Sequence, residues 1–429
     1  MRVGITLKTM RLRKQAGPGS GGISPVSNWR RTTAVVLAGF CAFVDLYAPQ
    51  PLLPQLARAF HQSPGHVSFL MTISTLGVAL AAPFVGSISD RWGRKRIIVP
   101  AALLLTLPTL LAATSTSFGH LMFWRFWQGL FTPAVFAVTV TYVNEEWEKG
   151  AGAAMSAYVS GTVLGGFAGR SVAAVVAAHF AWQWAFVALG VLNVVGALAI
   201  WAWLPAERHA ARRPPDGMIP AMWRHLHNPQ LLATNAAGFC LLFSLLGTFT
   251  YVNFYLAAPP FGLSTGALGL IFAVYVVAAA LTPLGGRWID RLGHRIAFSG
   301  AMMLAISGCL LTLVHNLVTV IAGLAIFCTG LFIAQSSASA YIGIAARSAK
   351  AAAVGLYATS YYLGGSFGAA IPGVSWSRGG WPACVCLIVG IDLATITLVW
   401  FSWPKRTEAA LESVSAVAEL DATAGGLGD

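Results

Sequence analysis

Charge is scarce in this chain: Lys, Arg, Asp and Glu make up 10% of 429 residues, whereas 57% are hydrophobic, with 15 Trp among them. A water-soluble core of that size needs a far larger charged coat, so burial from water is not what organises the chain. Strands of alternating polarity are missing, which excludes a transmembrane barrel. Cysteine is confined to Cys41, Cys240, Cys309, Cys328, Cys384 and Cys386, all inside apolar stretches. Cys384 and Cys386 point about 200° apart on a helix, so the set reads as small packing residues rather than disulfides or a metal site. The nine His lie in loops or near the ends of apolar runs, without a metal-like cluster. GPGSGG at 17–22 has the glycine spacing of a dinucleotide loop but no strand before it. GLSTG at 262–266 fits a nucleophile elbow but falls in a turn between two apolar runs. With no catalytic constellation, the chain is not expected to be an enzyme, and no cofactor or metal is expected.

Long apolar runs are what the chain has instead. Twelve lie near 32–56, 67–87, 97–114, 119–143, 151–178, 182–204, 229–257, 263–285, 296–314, 318–341, 350–374 and 382–403. Each can cross a ~30 Å hydrocarbon layer as an α-helix. The expected fold is an all-α membrane protein of twelve transmembrane helices, with the lipid bilayer as its main partner. Placing the N-terminus in the cytoplasm puts 23 of the 27 Lys and Arg on that side, seven of them in residues 1–31. Only Arg58 and Arg378 fall outside, and Arg125 and Arg170 lie within runs. Such a bias orients both ends toward the cytoplasm. It accounts for the net charge of +13 as topology and argues against nucleic-acid binding. The expected organisation is a basic arm at 1–31, six helices at 32–204, a polar linker at 205–228, six helices at 229–403 and a tail at 404–429. The arm has no apolar core and is no cleavable signal peptide.

One charged turn is written twice. Gly86, Asp90, Arg91 and Gly93 in GSISDRWGRKR recur as Gly286, Asp290, Arg291 and Gly293 in GRWIDRLGHR, 200 residues on. AYVSGTVLGGFAG (157–169) recurs as LYATSYYLGGSFG (356–368), 199 residues on. Two independent matches at nearly one offset make the six-helix halves copies. Six spans return the chain to its starting side, so the copies are parallel and related by an axis along the membrane normal. Gly161, Gly165 and Gly169, with Gly364 and Gly368, repeat every four residues, which allows close backbone approach. The spacing fits either packing within a half or a smooth seam on which the halves rock.

Gly86, Asp90, Arg91, Gly93, Arg94 and Lys95 form a loop that resembles the signature of the major facilitator superfamily, and RFWQG (125–129) resembles its fourth-helix motif. The resemblance covers 32–403. QPLLPQLARAF (50–60) and GGFAGR (165–170) are similar to a bacterial subgroup of inner-membrane efflux permeases. The resemblance implies two pseudo-symmetric six-helix bundles around a cavity lined by helices 1, 4, 7 and 10. It also implies that the charged turns are cytoplasmic latches, made in one orientation of the halves and broken in the other. The second copy has His294 where the first has Arg94, which implies a weaker latch.

Four ionisable side chains lie well inside runs: Asp45, Arg125, Arg170 and Asp392. At the bilayer centre such groups cost at least ~2.5–3.5 kcal/mol each, so they face a partner or a wet cavity. Counting residues from the membrane surfaces puts Asp45, Arg125 and Arg170 near one depth. The expectation is that Asp45 accepts a proton and pairs with Arg125 when ionised, with Arg170 nearby; a static ion pair is the alternative. Asp392 has no visible basic partner. Gln50, Gln128, Thr132, Tyr251, Asn253 and Gln335 are candidate cavity residues, each equally compatible with interhelical packing. The expected function is proton-coupled export of small organic molecules by alternating access, by a monomer in a bacterial inner membrane. The runner-up uses Arg125 and Arg170 to carry a small anionic solute.

Overall fold

The structure, a computed structural model, describes residues 25–147, 150–207, 218–346 and 348–404. Most of the expected arm (1–24), the middle of the linker (208–217) and nearly all of the tail (405–429) lie outside the described residues. Twelve long helices follow one another. The first six are α1 (Pro25–Leu46), α2 (Phe69–Trp92), α3 (Arg94–Ala112), α4 (Phe118–Glu146), α5 (Ala151–His179) and α6 (Trp182–Trp203). The second six are α7 (Pro229–Ala257), α8 (Val274–Leu292), α9 (His294–Leu311), α10 (Leu317–Ala345), α11 (Lys350–Ala370) and α12 (Pro372–Ser402). We call the side where α1 begins and α12 ends the terminal face, and the other the far face.

Eleven helical segments are long and apolar enough to cross a membrane. The helix left out is α11, which carries Tyr357, Tyr361, Tyr362 and four glycines. It packs against α7 and α2, so protein rather than lipid covers much of it. Large apolar side chains such as Trp92, Leu107, Val195 and Phe401 stand exposed on the outside of the bundle, the arrangement a hydrocarbon solvent favours.

Several ends differ from the expected spans: α1 begins at Pro25 inside the expected arm, α2 and α8 run on to Trp92 and Leu292, and two further departures have clear local causes. The first helix stops at Leu46 instead of running to 56, because Pro49, Pro51 and Pro54 remove backbone donors in succession. A short 3₁₀ turn (Gln50–Leu52) and a helix (Leu53–Ala59) finish the crossing. Near the other end, Gly379 and Gly380 leave helical geometry, with Gly380 at φ +58°. The piece of α12 before that break continues α11, and the piece after it runs back to the terminal face.

The duplication is visible atom by atom. A Cβ on Gly165 would stand 2.4 Å from the Phe40 carbonyl oxygen, and one on Gly364 would stand 1.9 Å from that of Phe239. Gly169 meets the Val44 oxygen at 1.9 Å and Gly368 the Phe243 oxygen at 2.3 Å in the same sense. Each pair repeats at an offset of 199. The glycine ladder therefore joins α1 to α5 and α7 to α11 inside each bundle, which decides for packing and against a seam between the halves. Tyr158 donates to the Phe136 carbonyl at 3.2 Å, and Tyr357, 199 residues on, donates to Gln335 Oε1 at 2.7 Å.

Gly364→Ala forces a methyl into the Phe239 carbonyl and should cost ~1–3 kcal/mol of stability. Gly390→Ala, where a Cβ meets nothing within 4 Å, should be neutral or slightly stabilising. Thermal melts of the detergent-purified variants give both numbers.

Candidate functional site

The two bundles meet at the far face. Ser68 shares a hydrogen bond of 2.9 Å with the Tyr251 hydroxyl, which lies 3.0 Å from the Ala369 carbonyl. Thr72 donates to the Ser366 carbonyl at 3.1 Å, and the hydroxyls of Thr75 and Ser366 are 2.9 Å apart. Gly65 abuts Gly373, whose missing side chain makes room for Tyr251. On the other side of the seam, Gly269 packs on Ala174, and Ser171 reaches its carbonyl at 3.4 Å. Toward the terminal face, by contrast, Gln335 and Ser339 form an exposed hydrogen-bonded pair.

Arg125 is fully buried, and its position follows from the early end of α1. Helix ends leave carbonyls without intrahelical donors. The Arg125 guanidinium donates to those of Asp45 (3.0 Å) and Leu46 (2.5 Å), a cation at the negative end of a helix dipole. It also donates to Ser74 Oγ at 2.9 Å and Gln128 Oε1 at 2.5 Å. The expected side-chain pair is thus replaced: Arg125 holds the Asp45 backbone, and the carboxylate turns away from it.

The Asp45 carboxyl is 1% exposed and points toward α3 and α6. Its Oδ2 accepts from Thr109 at 2.8 Å and from Asn193 Nδ2, while Oδ1 has no hydrogen-bond partner. Gln128 Nε2 donates to the Thr109 hydroxyl at 2.8 Å. A continuous chain therefore runs from Arg125 through Gln128 and Thr109 to Asp45. Sequence reasoning missed Thr109 and Asn193, although a lone Asn in the middle of WQWAFVALGVLNVVGALAIWAW was a usable signal.

Arg170 does not join them. Its Nε donates to Gln50 Oε1 at 2.8 Å and its Nη1 to the Gly166 carbonyl at 2.7 Å. The guanidinium carbon lies 4.9 Å from the Tyr47 ring centre, 4.6 Å from Phe272 and 4.8 Å from Tyr275. Tyr47 comes from the first half and the other two rings from the second, so this cation sits on the seam. Cation–π contacts are worth ~0.5–2 kcal/mol each, more when desolvated.

The expected cavity residues are mostly elsewhere. Gln50, Gln128, Thr132, Tyr251 and Asn253 are all buried at 1% exposure or less. Thr132 and Asn253 spend their donors on their own helices, at Gln128 and Phe249. In this conformation these five serve interhelical or local contacts, and Gln335 alone among the six is partly open.

The first charged turn is a built site. Gly93 has φ +95° and Gly293 φ +82°, conformations that favour glycine. Arg94 meets Asp90 Oδ1 at 2.6 Å and bonds Glu145 twice, at 2.9 and 2.7 Å, with Ser89 as a further partner. Glu207, from the linker, lies over Gly93 and accepts from the Lys95 amide at 3.2 Å, capping the start of α3. Arg91 is exposed, and Gly86 supplies the carbonyl that Ser89 binds at 2.8 Å. The second turn does not repeat the pair of Arg94 with Glu145. His294 stands for Arg94, Ile344 for Glu145, Asp290 and Arg291 are exposed, and a Cβ on Gly286 meets nothing within 4 Å. The named partners of Arg94 all come from the first half.

Comparison with known proteins agrees with this architecture. A family profile described as "Major Facilitator Superfamily" matches twice, over residues 35–264 and 247–423. "Inner membrane transport protein YnfM" of Escherichia coli (strain K12) is 36% identical over 363 residues, 82% of this chain and 85% of that one. "Uncharacterized MFS-type transporter YybF" of Bacillus subtilis (strain 168) is 32% identical, over 86% of this chain and 92% of its own. Among solved structures, the nucleoside transporter NupG superposes with a TM-score of 0.72 at 14% identity, covering 87% of this chain and 100% of that one. The human organic anion transporter MFSD10 gives a TM-score of 0.67 at 18% identity, again over 87% of this chain and all of that one. At such identities the likeness is one of fold.

The difference between the two turns is measurable. Arg94→Ala leaves the partly exposed carboxylates of Asp90 and Glu145 facing one another without their cation and should cost ~1–3 kcal/mol. His294→Ala removes a half-buried ring packed near Tyr341 and should cost ~1 kcal/mol or less. Thermal melts of the two variants side by side read the gap.

Proposed function

The chain belongs to the major facilitator superfamily of membrane transporters, and on that premise we propose that it exports small organic molecules in exchange for protons by alternating access. The observation that carries this reading is the asymmetry of the seam. Contacts between the halves gather at the far face, while the polar pair Gln335 and Ser339 stays exposed toward the terminal face. The clustering of Lys and Arg supports a cytoplasmic terminal face, so this is the inward-open state. The Escherichia coli relative, named an inner membrane transport protein, supports an inner-membrane location. The protein acts as a monomer, with its six-helix halves at 32–204 and 229–403 rocking about the linker.

Asp45 is the proton-accepting group in this reading. It lies on no cavity wall in the inward-open state, but one carboxyl oxygen is unpaired and the other is reached by the chain from Arg125. When the halves rock, tension on the broken end of α1, held by Arg125, changes which groups the carboxyl meets. A buried, poorly paired carboxyl favours its neutral form and a solvated one near a cation its charged form. The first charged turn is already formed in this state from first-half partners; in this reading Gly86, Asp90, Arg91, Gly93, Arg94 and Lys95 present a preformed surface that latches onto the second half when the terminal face closes, and the second turn contributes less. Arg170 favours a second reading. It is a buried cation whose named contacts include no carboxylate, so a small anionic solute could take its free side once the seam opens.

Proteoliposomes with a fluorescent cationic dye in one series and a fluorescent organic anion in another separate the two readings. Export by antiport predicts that dye flux follows an imposed pH gradient, that dye addition moves protons the other way, and that Asp45→Asn reduces gradient-driven flux to the zero-gradient level while counterflow survives. Unchanged gradient dependence in Asp45→Asn removes Asp45 from coupling. Flux of the anion alone, lost in Arg170→Gln, replaces the first reading by the second.

A further inference from the structure

The offset of 199 that relates the glycine contacts also relates two buried acids. It carries Asp45 on α1 to Ser244 on α7, and Asn193 on α6 to Asp392 on α12. In the first half Asn193 donates to the Asp45 carboxyl; in the second half Ser244 donates to Asp392 Oδ1 at 2.5 Å. The same two helix positions are in contact in both copies, with the acid on opposite members of the pair. The α3 position joins them. At the offset of 200 that relates the two charged turns, Thr109 becomes Cys309, a buried residue of α9, which packs against α12.

The surroundings of the two carboxyls are alike in one respect. Each has one oxygen bonded by neighbouring helices and one oxygen, Asp45 Oδ1 or Asp392 Oδ2, with no hydrogen-bond partner. Asp392 is 0% exposed. The titratable groups that face it are Cys240 from α7 and Cys309 from α9, both thiols. Near Asp45 are Cys41 on its own helix and Arg125 from α4, the latter bonded to the Asp45 backbone carbonyl and not to the carboxyl. The second half has Leu324 at the position equivalent to Arg125, and among the described residues no Lys or Arg forms an ion pair with Asp392. A carboxylate with one hydroxyl donor and no cation is an uncompensated charge in a medium without water, an arrangement proteins avoid by neutralising the group.

We propose that Asp392 is a second proton-binding site, the counterpart in the second half of the Asp45 site, so that each bundle carries one neutral carboxyl at the junction of its first, third and sixth helices. The inference rests on the reading of Asp45 as a proton site and extends it to a residue that sequence reasoning left without a role. The proton on Asp392 resides on the carboxyl itself, with Ser244 donating to the carbonyl oxygen. Because no cation stands by, this site does not depend on the position of Arg125.

Infrared spectroscopy of the full-length protein in liposomes tests this without substrate. Exposed Asp and Glu are ionised at neutral pH, so the carboxylic-acid C=O absorption there reports buried groups. The expected result is two such contributions, one lost in Asp45→Asn and the other in Asp392→Asn. A spectrum at neutral pH that Asp392→Asn leaves unchanged overturns the proposal. If that variant does not fold, Ser244→Ala substitutes for it: loss of the donor should shift the Asp392 band, and an unshifted band is equally fatal. The double variant Asp45→Ser with Asn193→Asp writes the second-half arrangement into the first half and should keep both bands; loss of one refutes the equivalence of the sites. The readout needs no flux, so absent proton coupling in the dye assay counts against antiport alone, and an absent Asp392 band counts against this inference alone.

Discussion

Below the surface of a bilayer a polar side chain has no water to turn to, and every such group in this protein has to find its partner inside the protein. Arg125 shows how far that constraint reaches. The prolines after Leu46 end α1 in mid-membrane and leave carbonyl oxygens without donors; a guanidinium supplies donors and a complementary charge together. Neither the broken helix nor the buried cation would be tolerable alone. Arg170 meets the same constraint differently, by spreading its charge over three ring faces and two acceptors. Two of the three rings belong to the other bundle, so in the proposed rocking motion its environment is the one that changes.

What duplication has kept and what it has let go follow a pattern. Backbone approach is kept: the glycines of α5 and α11 meet the same carbonyls at the same offset, because any Cβ there would collide with main chain that cannot move aside. The tyrosine hydroxyl bond is kept in place but changes acceptor, from the Phe136 carbonyl to the Gln335 side chain. Charge is what has diverged. Arg125 and Arg94 of the first half face Leu324 and His294 in the second. Geometry is shared because packing fixes it, whereas a charge can be lost once its partners are lost with it: Ile344 stands where Glu145 would be needed.

The fold was legible in the sequence because its signals are long and repeated. Twelve apolar runs and two echoes at nearly one offset each survive local error. The site was less legible. Residue counting put Asp45 and Arg125 at one depth, and they are in contact, but depth says nothing of rotation about the helix axis. The carboxyl faces Thr109 and Asn193 instead of the guanidinium for that reason. Gln128 and Asn253 suggest a cavity by their polarity, which cannot distinguish a group facing water from one satisfied by its own or a neighbouring helix. Asp392 became intelligible only when Ser244 was seen beside it, since a hydroxyl in an apolar run carries no signal of its own.

In the proposed alternating-access cycle the far face is sealed and then reopened, and what closes it suits both. Hydroxyls of Ser68, Thr72, Thr75, Tyr251 and Ser366 make the polar side of the seam, and Gly65, Gly269 and Gly373 the close-packed contacts. A neutral hydrogen bond is worth about 0.5–1.5 kcal/mol net, since water can replace it. Among the described residues no ion pair crosses the seam, so opening strands no charge except the cation of Arg170. Two states connected by such contacts differ by little, and a little differential binding is enough to shift their populations. A seam built from buried ion pairs would hold one state too firmly for a bound solute to reverse. Weak neutral bonds on one side and a single caged cation on the other leave the energetic decision to whatever occupies the space between the bundles.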